Sequence, residues 1–96
     1  MIVRIVKMKI SPEEVETFKG YFLESFDKIR NFPGCSELKL YTDLHEEGMV
    51  ITYSHWDSQQ SLNTYRDSEV FKSTWEKVKP LFIAKPEAFS MSALVG

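Results

Sequence analysis

The first ten residues, MIVRIVKMKI, constrain the fold more than any other segment, because they put apolar side chains on both faces of one extended strand. Ile2, Val6, Met8 and Ile10 point one way together with Arg4, while Val3 and Ile5 point the other way with Lys7 and Lys9. A strand wetted along one side would alternate more cleanly between apolar and polar. The sheet holding this strand is therefore expected to have something packed on each face. Ser11 and Pro12 then end it. Serine suits a helix N-cap, proline fits the first helical position, where its missing N–H is no loss, and Glu14 completes a capping-box spacing.

Val15, Phe18, Phe22, Phe26 and Ile29 recur at intervals of three and four, which predicts a helix running to near Arg30 with this stripe packed inward. The breaker cluster NFPGC at residues 31–35 closes it. In CSELKLYTD, Leu38 and Leu40 share one face of a second strand, the polar stretch Asp43 to Gly48 reads as a hairpin connection, and MVITYSHW at 49–56 supplies a third strand. Asp57, with Gln60 three positions on, predicts the cap of a helical region from Ser58 to Phe82. A fresh start at Asp67 or Ser68 divides that region, with Val70, Phe71, Trp75 and Val78 turned inward on the second piece. Pro80 and Pro86 bracket a crossing segment, and AFSMSALVG at 88–96 alternates as a fourth strand.

The order β-α-β-β-α-β predicts an α+β, ferredoxin-like fold, in which a four-stranded antiparallel sheet carries the helices on one face and residues 1–96 form a single domain. The other face, with Val3 and Ile5, is left uncovered. A second copy of the same sheet is the simplest cover, so a homodimer through sheet-on-sheet packing is expected.

Composition removes several function classes. Twelve basic residues against 14 acidic ones leave a net charge of -2 with no basic run, which argues against nucleic acid and anionic membranes as partners. No stretch approaches the roughly 18 apolar residues of a membrane span, and Arg4, Lys7 and Lys9 interrupt what a signal-peptide core would need. The lone Cys35 cannot form an internal disulfide, so a cytoplasmic, reducing location is expected. His45, His55 and Cys35 lack metal-ligand spacing, and the glycines stand too far apart for a phosphate loop. The 13 aromatic rings are many for 96 residues, which points to a partner surface or a ligand.

The segments NFPGC at 31–35 and SHWDSQQSLNTYRDSEVF at 54–71, in that order of elements, resemble the antibiotic biosynthesis monooxygenase family of dimeric α+β barrels. The resemblance covers nearly the whole chain. It implies a homodimer with a ligand pocket in each subunit between sheet and helices, and a monooxygenase activity. In the haem-degrading branch, the tryptophan lining the haem pocket falls on Tyr65, the iron-ligating histidine falls on Trp75, and the catalytic asparagine falls near Val6. Tryptophan does not coordinate iron, so the comparison argues against haem degradation. It points instead to the cofactor-independent branch, whose members oxidise phenols or quinols and whose pocket position matching Tyr65 touches the substrate.

Such chemistry asks for a base or acceptor that yields a phenolate, a dry pocket and donors that steady the developing anion. The candidates are His55 and Tyr65 as catalytic groups, with Arg4, Tyr53, Tyr65 and Trp75 as substrate-binding groups and neither metal nor cofactor. The plain alternatives are that Trp75 and Trp56 are core residues, His55 is a solvated strand-end residue, Arg4 makes an intersubunit ion pair and Cys35 is an inert thiol. On those readings the chain is a non-catalytic dimeric module that binds a small ligand or serves structure alone.

Overall fold

The computed structural model describes all 96 residues. β1 (Ile2–Lys9) is followed by α1 (Val15–Arg30), the hairpin strands β2 (Cys35–Thr42) and β3 (Met49–Trp56), the consecutive helices α2 (Gln59–Arg66) and α3 (Glu69–Val78), and β4 (Glu87–Met91). The sheet runs β2-β3-β1-β4 with every neighbouring pair antiparallel, which is the ferredoxin-like α+β architecture expected from the order of elements.

β1 is central, and its alternation sets the two layers. Met8 and Ile10 are buried on the helical side with Leu38 and Val50, against Phe18, Phe22 and Ile29 of α1 and Val78 of α3. Each fully buried phenylalanine of this layer contributes about 1.5–3 kcal/mol through the apolar surface it removes from water. Val15 and Phe26 complete the predicted α1 stripe from partly buried positions. A buried polar contact stitches the two long helices together: the Thr74 hydroxyl donates to Ser25 Oγ at 2.7 Å.

Two helix starts differ from expectation. Ser11 makes no capping bond, because Pro12–Glu14 forms a 3₁₀ turn in which the Glu14 N–H donates to the Ser11 carbonyl at 2.8 Å, and the α-helix begins only at Val15. The tighter turn satisfies an orphan donor through the backbone, so the serine side chain has no cap to make. The next helix is capped by Ser58 rather than Asp57, with Ser58 Oγ accepting from the Ser61 N–H at 3.1 Å. Asp57 instead donates its backbone N–H to the Gly34 carbonyl at 2.8 Å, tying the end of β3 to the turn after α1. Ser68 caps α3, accepting from the Phe71 N–H at 3.2 Å.

The fourth strand ends at Met91, earlier than its alternation to residue 96 predicts. The crossing segment before it is pinned to β1, with Ile10 bridged to Phe82 and the Ile83 N–H donating to the Lys9 carbonyl at 2.9 Å. No helix is long and apolar enough to cross a membrane.

Opposite the helices, the sheet presents Val3 and Ile5 beside Phe89 and Met91 on one side and His55 and Tyr53 on the other. Phe89 and Met91 are 45% and 46% exposed, an unusual fraction for large apolar side chains in a sheet, so this face is open in a single chain.

Gly34, in the turn after α1, and Gly20, inside that helix, predict opposite substitution effects. Gly34 has φ +93°, and an added Cβ would lie 2.5 Å from Ser61 Cβ, so Gly34→Ala is expected to destabilise by about 1–3 kcal/mol. Gly20 lies within α1 with nothing within 4 Å of an added Cβ, so Gly20→Ala is expected to stabilise by about 0.5–1 kcal/mol. Urea denaturation midpoints check both, and a shift of the same sign for the two variants contradicts the geometry.

Candidate functional site

A cavity of about 380 Å³ lies between the sheet and the helices. Its floor comes from the helix-facing residues of the sheet: Arg4, Val6 and Met8 of β1, Thr52, Ser54 and Trp56 of β3, and Ala88 of β4. The antiparallel register makes this set contiguous, since Arg4 pairs with Ser54 and with Ser90, and Val6 pairs with Thr52 and with Ala88. Tyr65 and Arg66 at the end of α2, with Phe71, Thr74 and Trp75 of α3, form the opposite wall. Arg66 and Ala88 are exposed as well as lining, which places the mouth on the β4 side.

The wall is a run of aromatic rings. Trp56 and Tyr65 stack with centroids 4.8 Å apart, Tyr65 meets Phe71 edge-on at 5.4 Å, and Phe71 stacks on Trp75 at 5.8 Å. Trp56 is fully buried and its indole N–H donates to Ser54 Oγ at 2.9 Å, so it anchors the end of β3. Phe71 and Trp75 are only half-buried, with Thr74 and Val78 taking the deepest positions of α3. The inward-turned rings thus border the cavity without filling it.

Of the sequence candidates, Arg4, Tyr65 and Trp75 meet at this cavity. Tyr53 and His55 do not. They occupy the alternate positions of β3, on the open face, where the Tyr53 hydroxyl and His55 Nε2 are hydrogen-bonded at 2.5 Å. The strand's period of two forces this split: a residue next to inward-facing Trp56 must face outward. His45 lies exposed in the hairpin loop, so no imidazole and no carboxylate lines the cavity. Arg66, Thr52 and Ser54 also line the cavity and are absent from the sequence candidates. The alternation that places Trp56 inward would have found Thr52 and Ser54, whereas Arg66 carries no signal beyond its position next to Tyr65.

The electrostatics follow from burial. The Arg4 guanidinium is half-buried, its Nη1 donates to Ser90 Oγ at 2.8 Å, and both desolvation and the charge of Arg66 pull its pKa down. Arginine remains protonated even so. Burial pushes the Tyr65 phenol well above the usual tyrosine range, so Tyr65 is a neutral hydrogen-bond donor at ordinary pH and not a base. Burial also raises the Cys35 thiol, whose Sγ lies 3.5 Å from the Glu37 carbonyl, which leaves it a weak nucleophile. No group of histidine, cysteine and carboxylate side chains is arranged to hold a metal ion.

The sequence matches a family model described as antibiotic biosynthesis monooxygenase over residues 1–77. Among solved structures, a Caulobacter crescentus protein proposed to be an antibiotic biosynthesis monooxygenase is 23% identical, with 98% of this chain and 90% of that chain covered and a TM-score of 0.91. A conserved Methanosarcina mazei protein is 20% identical over 95% of this chain and 91% of its own, with a TM-score of 0.87. A Mycobacterium tuberculosis protein is 16% identical over 99% and 96%, at a TM-score of 0.88. At these identities the likeness is one of fold. No curated protein matches the chain.

The raised Tyr65 pKa predicts an alkaline signature. The folded chain keeps the phenolic proton where the unfolded chain releases it, so this contribution to stability is whole below about pH 10 and is lost as pH rises above that value. Unfolding midpoints measured from pH 8 upward are expected to fall more steeply for the native sequence than for Tyr65→Phe. Parallel curves for the two proteins contradict the buried phenol.

Proposed function

The chain belongs to the antibiotic biosynthesis monooxygenase family, and on that premise we propose that it is a cofactor-independent monooxygenase oxidising a small aromatic phenol or quinol in the cavity between sheet and helices. Family membership supports a monooxygenase-like function in general terms, and the aromatic lining of the cavity supports the choice of an aromatic substrate. The observation that carries the reading is an open volume of about 380 Å³ walled by Tyr65, Phe71 and Trp75, with Arg4 and the Tyr65 hydroxyl as polar contacts. The run of rings offers one aromatic wall for a flat ring to lie against, and the neutral Tyr65 hydroxyl is suited to donate to its oxygen.

Oxidation of such a phenol to a quinone takes one atom of dioxygen into the ring and releases the other as water, with the substrate supplying the two hydrogens and the electrons. The residues hold the ring, keep water away and steady negative charge as it develops. Arg4 has that last role, and Trp75 positions the ring. His55 and Tyr53, on the open face, are assigned to the subunit interface instead of the chemistry.

One observation favours a second reading. With no imidazole or carboxylate lining the cavity, the chain lacks an acid-base pair, which suits a dimeric module that binds a small aromatic ligand without turning it over. Oxygen uptake with a panel of hydroquinones and anthrones separates the two. The enzyme reading predicts uptake above the protein-free rate, reduced about tenfold or more in Tyr65→Phe by loss of one donor to the developing anion. Equal uptake with and without protein contradicts it and leaves the binding module.

The open face is proposed to be covered by a second copy of the sheet. Its apolar centre of Val3, Ile5, Phe89 and Met91 is flanked by Lys7 and Lys39 and by Glu37 and Glu87, so a two-fold partner offers both apolar contact and opposite charge. Light scattering is expected to give twice the 11.2 kDa chain mass at micromolar concentration, falling toward one chain in Ile5→Asp. A single-chain mass for the native sequence contradicts the dimer.

A further inference from the structure

Arg4 and Arg66 are the only charged residues lining the cavity, and both carry the same sign. Neither has a carboxylate partner. The two ion pairs of the chain, Lys9 with Glu46 and Lys77 with Glu24, lie elsewhere, and Arg4 is held only by the neutral Ser90 hydroxyl. The pair repels at the cavity wall, which is why the Arg66 charge acts on Arg4 as it does. Arg66 is exposed and Arg4 half-buried, and the mainly apolar volume that both face carries positive charge with nothing negative to offset it.

The rest of the wall constrains what an offsetting negative group is attached to. Tyr65, Phe71 and Trp75 present flat aromatic surface to the same volume. The Tyr65 hydroxyl is left without a protein partner, and no partnerless polar side-chain atom is sealed from the surface. The polar side chains at the cavity are thus the two cations and the hydroxyls of Thr52, Ser54, Tyr65 and Thr74, which both donate and accept, so the charge preference of the cavity rests on Arg4 and Arg66 alone.

Resting on the reading of this cavity as a ligand site, we infer that it takes a flat aromatic compound as its oxyanion, with Arg4 and Arg66 as the anion-binding pair. Arg66, at the mouth, draws the anion in, and Arg4, half-buried beside Ser90, holds it. Phenolate and carboxylate share this chemistry. A phenol binds there as its ionised, electron-rich form, stabilised by the two arginine charges, having left its proton to bulk solvent on entry, so ionisation needs no residue base.

The test compares 2-naphthoate with its neutral isostere 2-naphthamide by titration calorimetry, and follows the ionisation of 4-nitro-1-naphthol by its visible absorbance with and without protein. For a carboxylate ligand, naphthoate is expected to bind about tenfold more tightly than the amide at low salt, with the preference shrinking as salt is raised. For a phenolate ligand, the bound nitronaphthol is expected to ionise at lower pH than the free dye. Either outcome supports the inference and identifies the source of the anion. Arg4→Gln and Arg66→Gln are each expected to remove most of the preference, read as the ratio of naphthoate to naphthamide affinity within each variant.

Naphthamide binding as tightly as naphthoate, together with an unshifted dye, overturns the anion inference while leaving the cavity as a ligand site. Failure of all three probes to bind overturns both.

Discussion

The pairing of β1 with both β3 and β4 is the constraint on which the rest of the structure depends. With β1 central and antiparallel to each neighbour, the register decides which side chains share a face: Arg4 lies across from Ser54 and Ser90, and Ile5 across from Tyr53 and Phe89. One face receives the helices, the Phe18 and Phe22 stripe and the cavity. The other carries the apolar patch of Val3, Ile5, Phe89 and Met91. A slip of one residue would exchange the two sets and leave the helices resting on Lys7 and Lys9.

Much of this order is legible in the sequence because it rests on strong periodic signals. The α1 stripe, the NFPGC breaker and the runs of β2 and β3 appear where the spacing puts them. The details that escape are those decided by competition between local options. Ser11 has the residue type of a cap, yet the 3₁₀ turn satisfies the backbone first. Asp57 has it too, but its N–H is taken by Gly34 and the cap passes to Ser58. The alternation of the tail continues past Met91, although β1 pairs with it only from Val3 to Lys7.

The site was half legible for a similar reason. Tyr65 and Trp75 come from a resemblance and from helical spacing, and both border the cavity. His55 and Tyr53 have suitable chemistry and lie on the face of β3 opposite Trp56 and the cavity. Arg66 is the opposite case, since its type is ordinary for a helix end and its meaning arises only when α2 brings it to the volume that Arg4 enters. The aromatic surplus also resolves in space: some rings fill the helical layer, some wall the cavity and some, such as Phe89 and Tyr53, lie on the open face of the sheet.

The cavity holds that assignment together, and the chain's two tryptophans both line it. Their indole N–H signals therefore give a direct readout in a proton–nitrogen correlation spectrum recorded during titration with 2-naphthoate. An aromatic anion entering between Arg4 and Trp75 is expected to move the Trp75 signal strongly and the Trp56 signal, anchored on Ser54, less, with saturation at one ligand per chain. If neither indole signal moves while other resonances do, the ligand binds elsewhere and the cavity is not the site.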